Sequence, residues 1–132
     1  LAKRHAVAIP PVVSENLNIV RAPVLGEMPF AAKLRYPEPV PAGESVKTFA
    51  ATRSCIDLNG HVNNVRYLEW MLEAAPEPKD GDRVVDLEVV FRSETFVGDP
   101  VVARCMAAAG AFFHRVSAPD GKDHIVARTL RG

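Results

Sequence analysis

The 132 residues fit one domain, and a chain of that length buries roughly two-thirds of its unfolded surface, enough for a single core. Hydrophobic residues make up 48%, and 16 basic side chains meet 16 acidic ones. That balance argues against disorder and leaves no long-range field to draw in nucleic acid or an anionic membrane.

No apolar run approaches the ~18–20 residues of a membrane span, and no secretory h-region is visible. Two cysteines, Cys55 and Cys105, are too few for a disulfide framework, so we expect reduced thiols in a cytoplasmic protein. A chain that begins at Leu1 rather than Met reads as a fragment or a processed product.

Seven of the eleven prolines precede residue 42. Residues 1–42 show no sustained period of two or 3.6, apart from a short helical turn expected near Ser14–Val20. This lead reads as a Pro-rich linker from another domain, or as an arm across a neighbour. Residues 43–132 carry the domain. Ser45–Arg53 has β character. Asn63–Ala75 is predicted as a helix with Val65, Leu68, Leu72 and Ala75 on the sheet-facing side, stopped by Pro76. "EPKDGD" is a loop. Arg83–Phe96 is predicted as one long strand, with Val85, Leu87, Val89 and Phe91 alternating against polar positions. Pro100–Ala109, "AFFHRVS" and "HIVARTL" complete the strands, and the last two are joined by a hairpin through "APDGKD". One amphipathic helix and about five antiparallel strands make an α+β fold with the helix on the sheet.

The informative stretch is "DLNGHVNNVRYLEWMLEAAP", residues 57–76. A helix start needs one capping side chain, yet Asp57, Asn59, His61, Asn63 and Asn64 crowd into eight residues. Turn chemistry explains them one way: Asn59 or Asn63 caps, and Gly60 supplies a positive φ. A site explains them another way: a helix N-terminus offers N–H donors to an oxyanion, and a carboxylate beside an imidazole offers acid–base groups. Spacing alone does not choose. Elsewhere, His5, His61, His114 and His124 lack metal-ligand spacing, so no metal and no cofactor is expected. There is no phosphate loop and no G-x-S-x-G elbow. Cys55 beside His61 is a weaker candidate nucleophile, because a cysteine at a strand end is ordinarily packed. Tyr67 and Trp70 read as packing residues. Alternation puts Glu94 off the core phase, either solvated or facing a cleft or partner.

"DLNGHVNNVRYLEWMLEAAP" resembles the second half of acyl-acyl carrier protein (acyl-ACP) thioesterases, which have the hot-dog fold. "LEVVFRSETFVGD" and "FFHRVSAPDGKDHIVARTL" resemble that family's following strand and closing hairpin, and "LAKRHAVAIPPVV" its inter-repeat segment. The resemblance implies a long central helix wrapped by a curved antiparallel sheet. It implies hydrolysis of fatty acyl-ACP, with an acyl-loaded carrier protein as partner and a second hot-dog repeat or a homodimer as assembly. It carries the catalytic positions onto Asp57, Asn59, His61 and Glu94, with Gly60, Asn63 and Asn64 at the substrate. Asp57 also matches the catalytic Asp of hydroxybenzoyl-CoA thioesterases, which keeps an acyl-CoA substrate as an alternative. A non-catalytic acyl-binding or structural module is the other. The sequence departs from the family pattern at Cys55, usually Asp, and at Thr95, often Cys.

Overall fold

Five strands form where β-branched and aromatic residues alternate with polar ones in the computed structural model, which describes residues 10–12, 33–38 and 43–132. The chain divides into two compact units, Leu1–Lys33 and Leu34–Gly132. In the first, Pro11 and Val12 are helical. The turn expected near Ser14–Val20 lies outside the described residues.

In the second unit β1 is Ser45–Ala50, α1 Asn64–Glu73, β2 Val84–Phe91, β3 Pro100–Ala108, β4 Ala111–Ser117 and β5 Asp123–Arg131. The strands make one antiparallel sheet in the order β1-β3-β4-β5-β2, as the sequence predicts in class and number. Two predicted strands are shorter than expected. The first stops at Ala50, and residues Arg53–Cys55 form a 3₁₀ turn instead. The long strand stops at Phe91, so Glu94 lies beyond it and alternation does not set its direction. Between β3 and β4, Ala109 (φ 49°) and Gly110 (φ 76°) make a tight two-residue turn. That backbone needs positive φ at both positions, which is why a Gly stands there.

The register lines up one face of the sheet. Cys105 pairs with His114, His114 with Ala127, and Ala127 with Val89. Their neighbours on that face, Val101, Ala103, Val116 and Ile125, are buried with them under α1. The helix presents Tyr67, Trp70, Met71 and Ala74, at i, i+3, i+4 and i+7. This corrects the predicted face. Val65 is 55% and Leu72 47% exposed, and Leu68 and Ala75 sit only at the margin of the core. Counting aliphatic residues alone rotated the helix by about a third of a turn, because its bulk is aromatic and sulfur-containing. Tyr67 and Trp70 are packing residues as predicted, edge to face with ring centroids 5.5 Å apart.

The opposite face is covered by the end of the Pro-rich lead. Leu34 and Tyr36 are buried with Met106 and Val126. The Tyr36 hydroxyl donates to Glu44 at 2.8 Å, and Glu44 also pairs with Arg104 at 2.9 Å. Leu34 and Tyr36 therefore pack on the sheet of their own unit.

His114 has no exposed surface, and its Nε2 lies 2.9 Å from Thr129 Oγ1. Burial lowers its pKa from 6.5 to about 4. Between those values the unfolded chain takes up a proton that the fold refuses. Stability is therefore full above about pH 6.5 and falls as pH drops toward 4, by on the order of 3 kcal/mol. In urea melts between pH 7 and pH 4, the non-titrating His114→Gln should flatten that acid limb. In the same assay Met71→Ala should cost roughly 2–5 kcal/mol, while the exposed Leu72→Ala should stay within about 0.5.

Candidate active site

Between the 3₁₀ turn and α1 the chain folds back on itself in a miniature hairpin. Ile56 and Val62 bridge, and the Asp57 N–H donates to the His61 carbonyl at 2.8 Å. The Gly60 N–H closes the turn onto the Asp57 carbonyl at 3.1 Å, with Gly60 at φ 80°. Asp57 Oδ1 fills this loop from inside. It accepts from the Asn59 N–H at 2.8 Å and from the His61 N–H at 3.2 Å. The His61 N–H above all holds the Asp57 carboxyl below its ordinary value; the Asn59 N–H and the nearby imidazole add to this, while partial burial opposes it. Asp57 is thus an ionised staple.

Two further bonds fasten the loop to its surroundings. The Asn63 N–H donates to the Cys55 carbonyl at 2.8 Å, and the Val62 N–H to the Thr95 carbonyl at 3.3 Å. Asn63 is then the N-cap of α1, its Oδ1 accepting from the Val65 N–H at 3.0 Å. Fixed in this way, His61 meets Glu94: Nδ1 lies 3.2 Å from Oε1, with the imidazole edge-on to Phe96 at 5.9 Å. Asp57, His61, Asn63, Asn64 and Glu94 line one cleft of ≈ 390 Å³, walled by Tyr67, Phe91, Arg92 and Ser93.

The structure does not bring every predicted residue to this cleft. Asn59 and Gly60 sit at the exposed tip of the loop, outside its lining. The N–H groups of His61, Val62 and Asn63 already have acceptors, so they are not the N–H donors expected at the helix start. In the first helical turn, the Val65 and Arg66 N–H groups are also taken, and that of Asn64 is the donor that remains among the described residues. Cys55 is buried outside the lining, its Sγ 3.3 Å from Thr52 Oγ1. Thr95 is fully buried behind the loop. Sequence reasoning missed Ser93 and Arg92. Their proximity to Glu94 was visible, but the end of β2 at Phe91 was not. Among the described residues, no three His, Cys, Asp or Glu side chains gather to hold a metal ion, and no helix is long and apolar enough to cross a membrane.

The profile of the acyl-ACP thioesterase C-terminal domain matches residues 40–129. The chain belongs to the acyl-ACP thioesterase family. Solved structures agree on the hot-dog fold. An acyl-ACP thioesterase from Bacteroides thetaiotaomicron is 25% identical, with a TM-score of 0.62 over 80% of this chain and 44% of its own. The 12:0-ACP thioesterase from Umbellularia californica is 20% identical, with a TM-score of 0.63 over 76% of this chain and 39% of its own. A 1,4-dihydroxy-2-naphthoyl-CoA thioesterase from Synechocystis shares 14% identity and a TM-score of 0.54, over 67% of this chain and 80% of its own. The chain spans less than half the length of the two acyl-ACP thioesterases. No curated protein matches it in sequence.

Since Asn63 caps α1 at the cleft, Asn63→Ala should cost roughly 0.5–2 kcal/mol in denaturant melts. Asn63→Asp, which keeps the cap acceptor, should restore most of it.

Proposed function

We propose that this chain carries the hydrolytic site of a fatty acyl-ACP thioesterase, and that the His61–Glu94 pair in the cleft performs the chemistry. The contact of 3.2 Å between His61 Nδ1 and Glu94 Oε1, at the start of α1, is the observation that carries the reading. The pair takes a proton from water as the water oxygen attacks the thioester carbon. The C–S bond then breaks, and the thiol leaves with that proton as the carboxylic acid forms. The Asn64 N–H, at the positive end of the helix, faces the negative charge that develops on the carbonyl oxygen. The N–H groups that Asp57 holds depress its proton affinity and so weaken it as a base. Its role is to hold the loop that aims His61. Asn59 and Gly60, at the loop tip, meet the incoming carrier and its acyl group. The family profile supports carrier protein over coenzyme A as the group that delivers the acyl chain.

A partner completes the acyl site in this reading. Val84, Val85, Leu87 and Phe91 of the edge strand β2 are exposed, as are Val65 and Leu72 of α1. An apolar strand edge is a surface that proteins cover. We assign its cover to a second hot-dog unit, either a preceding repeat or a second copy. The two unpaired, buried cysteines fit the cytoplasm as its compartment.

The test is turnover of fatty acyl-ACP against the matching acyl-CoA, with acyl-ACP the better substrate. His61→Ala and Glu94→Gln should each lower kcat by ~10²–10⁴ without unfolding the protein. Asp57→Asn should lower it strongly as well. Cys55→Ser and Thr95→Ala should remain active. Full activity in Glu94→Gln alongside an inactive Cys55→Ser would replace this reading with a thiol nucleophile.

A further inference from the structure

Ser93 walls the cleft and His124 lies outside its lining, and the chemistry above uses neither. Alternation along β5 would send His124 to the outer face with Val126, which packs on Leu34 and Tyr36. A bulge prevents this. Val116 pairs with Ile125, but the next residue, Ser117, pairs with Asp123, leaving His124 as the extra residue. Its ring therefore stands on the helix side, 6.1 Å from the Tyr67 ring, with Nδ1 3.0 Å from Ser93 Oγ. His124 is 4% exposed, and its Nε2 has no hydrogen-bond partner among the described residues.

Proton counting assigns the roles. Ser93 Oγ lies 2.7 Å from the Asp123 carbonyl, which only accepts, so the serine proton goes there. His124 Nδ1–H then donates to Ser93 Oγ. Burial, opposed by the Ser93 main chain, lowers the His124 pKa, which favours the neutral ring. The Arg92 and Ser93 N–H groups both donate to the His124 carbonyl, at 2.8 and 3.4 Å. The chain just past β2 is thereby tied to the bulge. Glu94 is the next residue. Its side chain is 58% exposed and is held by His61 rather than by packing, so its location depends on the backbone it springs from.

We infer that Ser93 and the bulged His124 are positioning residues that hold Glu94 in register with His61, an inference that rests on the hydrolytic role proposed for Glu94. Preorganisation of this kind matters because a misplacement of about 1 Å can cost on the order of 10²-fold in rate.

The experiment measures kcat, KM and melting temperature for acyl-ACP hydrolysis by the full chain. Ser93→Ala should lower kcat about tenfold or more while KM stays within about twofold. His124→Asn, whose amide nitrogen takes the place of Nδ1, should retain more activity than His124→Leu; equal loss in the two removes His124 from the proposal. The deciding comparison is Ser93→Ala in a Glu94→Gln background. A residue that acts through Glu94 should cause no further loss there, since the two effects are not additive. The same fold-loss in both backgrounds, or an unchanged kcat in Ser93→Ala, would overturn the positioning role. Full activity in Glu94→Gln alone would instead overturn the assignment of Glu94, and this inference with it. If His124→Leu does not fold, the Ser93 comparison decides alone.

Discussion

The burial of Tyr67, Trp70, Met71 and Ala74 against one face of the sheet is the contact from which the rest of the domain follows. A ten-residue helix is marginal in water by itself. Each large side chain it buries contributes roughly 1.5–3 kcal/mol, and Ala51, Cys55 and Val62 of the preceding segment join the same core. Ala74, fully buried, lets the C-terminal half of α1 approach closely. Tyr67, near the other end, reaches the wall of the cleft. Packing a helix for stability therefore also places its N-terminus, with the positive end of its dipole, where the polar loop arrives.

The loop residues divide into builders and presenters. Asp57 and Asn63 turn their oxygens onto backbone N–H groups, as turn and cap residues do. His61 is what the completed loop presents, and Glu94 meets it from a different part of the chain. The bond from Val62 to Thr95 joins the two segments at the backbone, so that side-chain geometry is inherited from main-chain geometry. The same separation explains the electrostatics. The carboxylate with two N–H donors has its proton affinity lowered, and the carboxylate that faces the imidazole is a different one.

Cover over the sheet is uneven. The outer face is sealed by Leu34 and Tyr36 and by a run of ion pairs through Glu44, Arg104, Arg115 and Asp123. On the helix side, protection thins over β2, where Val89 packs on the core but Leu87 and Phe91 of the same phase remain exposed. An edge strand has a neighbour on one side only, and α1 is too narrow to reach over it. That margin borders the cleft through Phe91, so whatever covers it also shapes the site.

The sequence by itself determined the element types and their order, because period-two alternation and the Asp-Gly turn of "APDGKD" act over a few residues. It also determined that Asp57, His61 and Glu94 were worth singling out, through the D-x-N-x-H-V-N-N run and its resemblance. It misplaced the buried face of α1, since several apolar patterns coexist on that helix and only the facing sheet selects among them. The termination of β2 at Phe91, the use of the His61, Val62 and Asn63 N–H groups, and the bulge that turns His124 inward were decided by tertiary structure alone. The end of β2 and the Val62 N–H depend on distant partners, Ile125 and Thr95, and one slipped register at Ser117 redirects a side chain that local alternation would have sent to the opposite face.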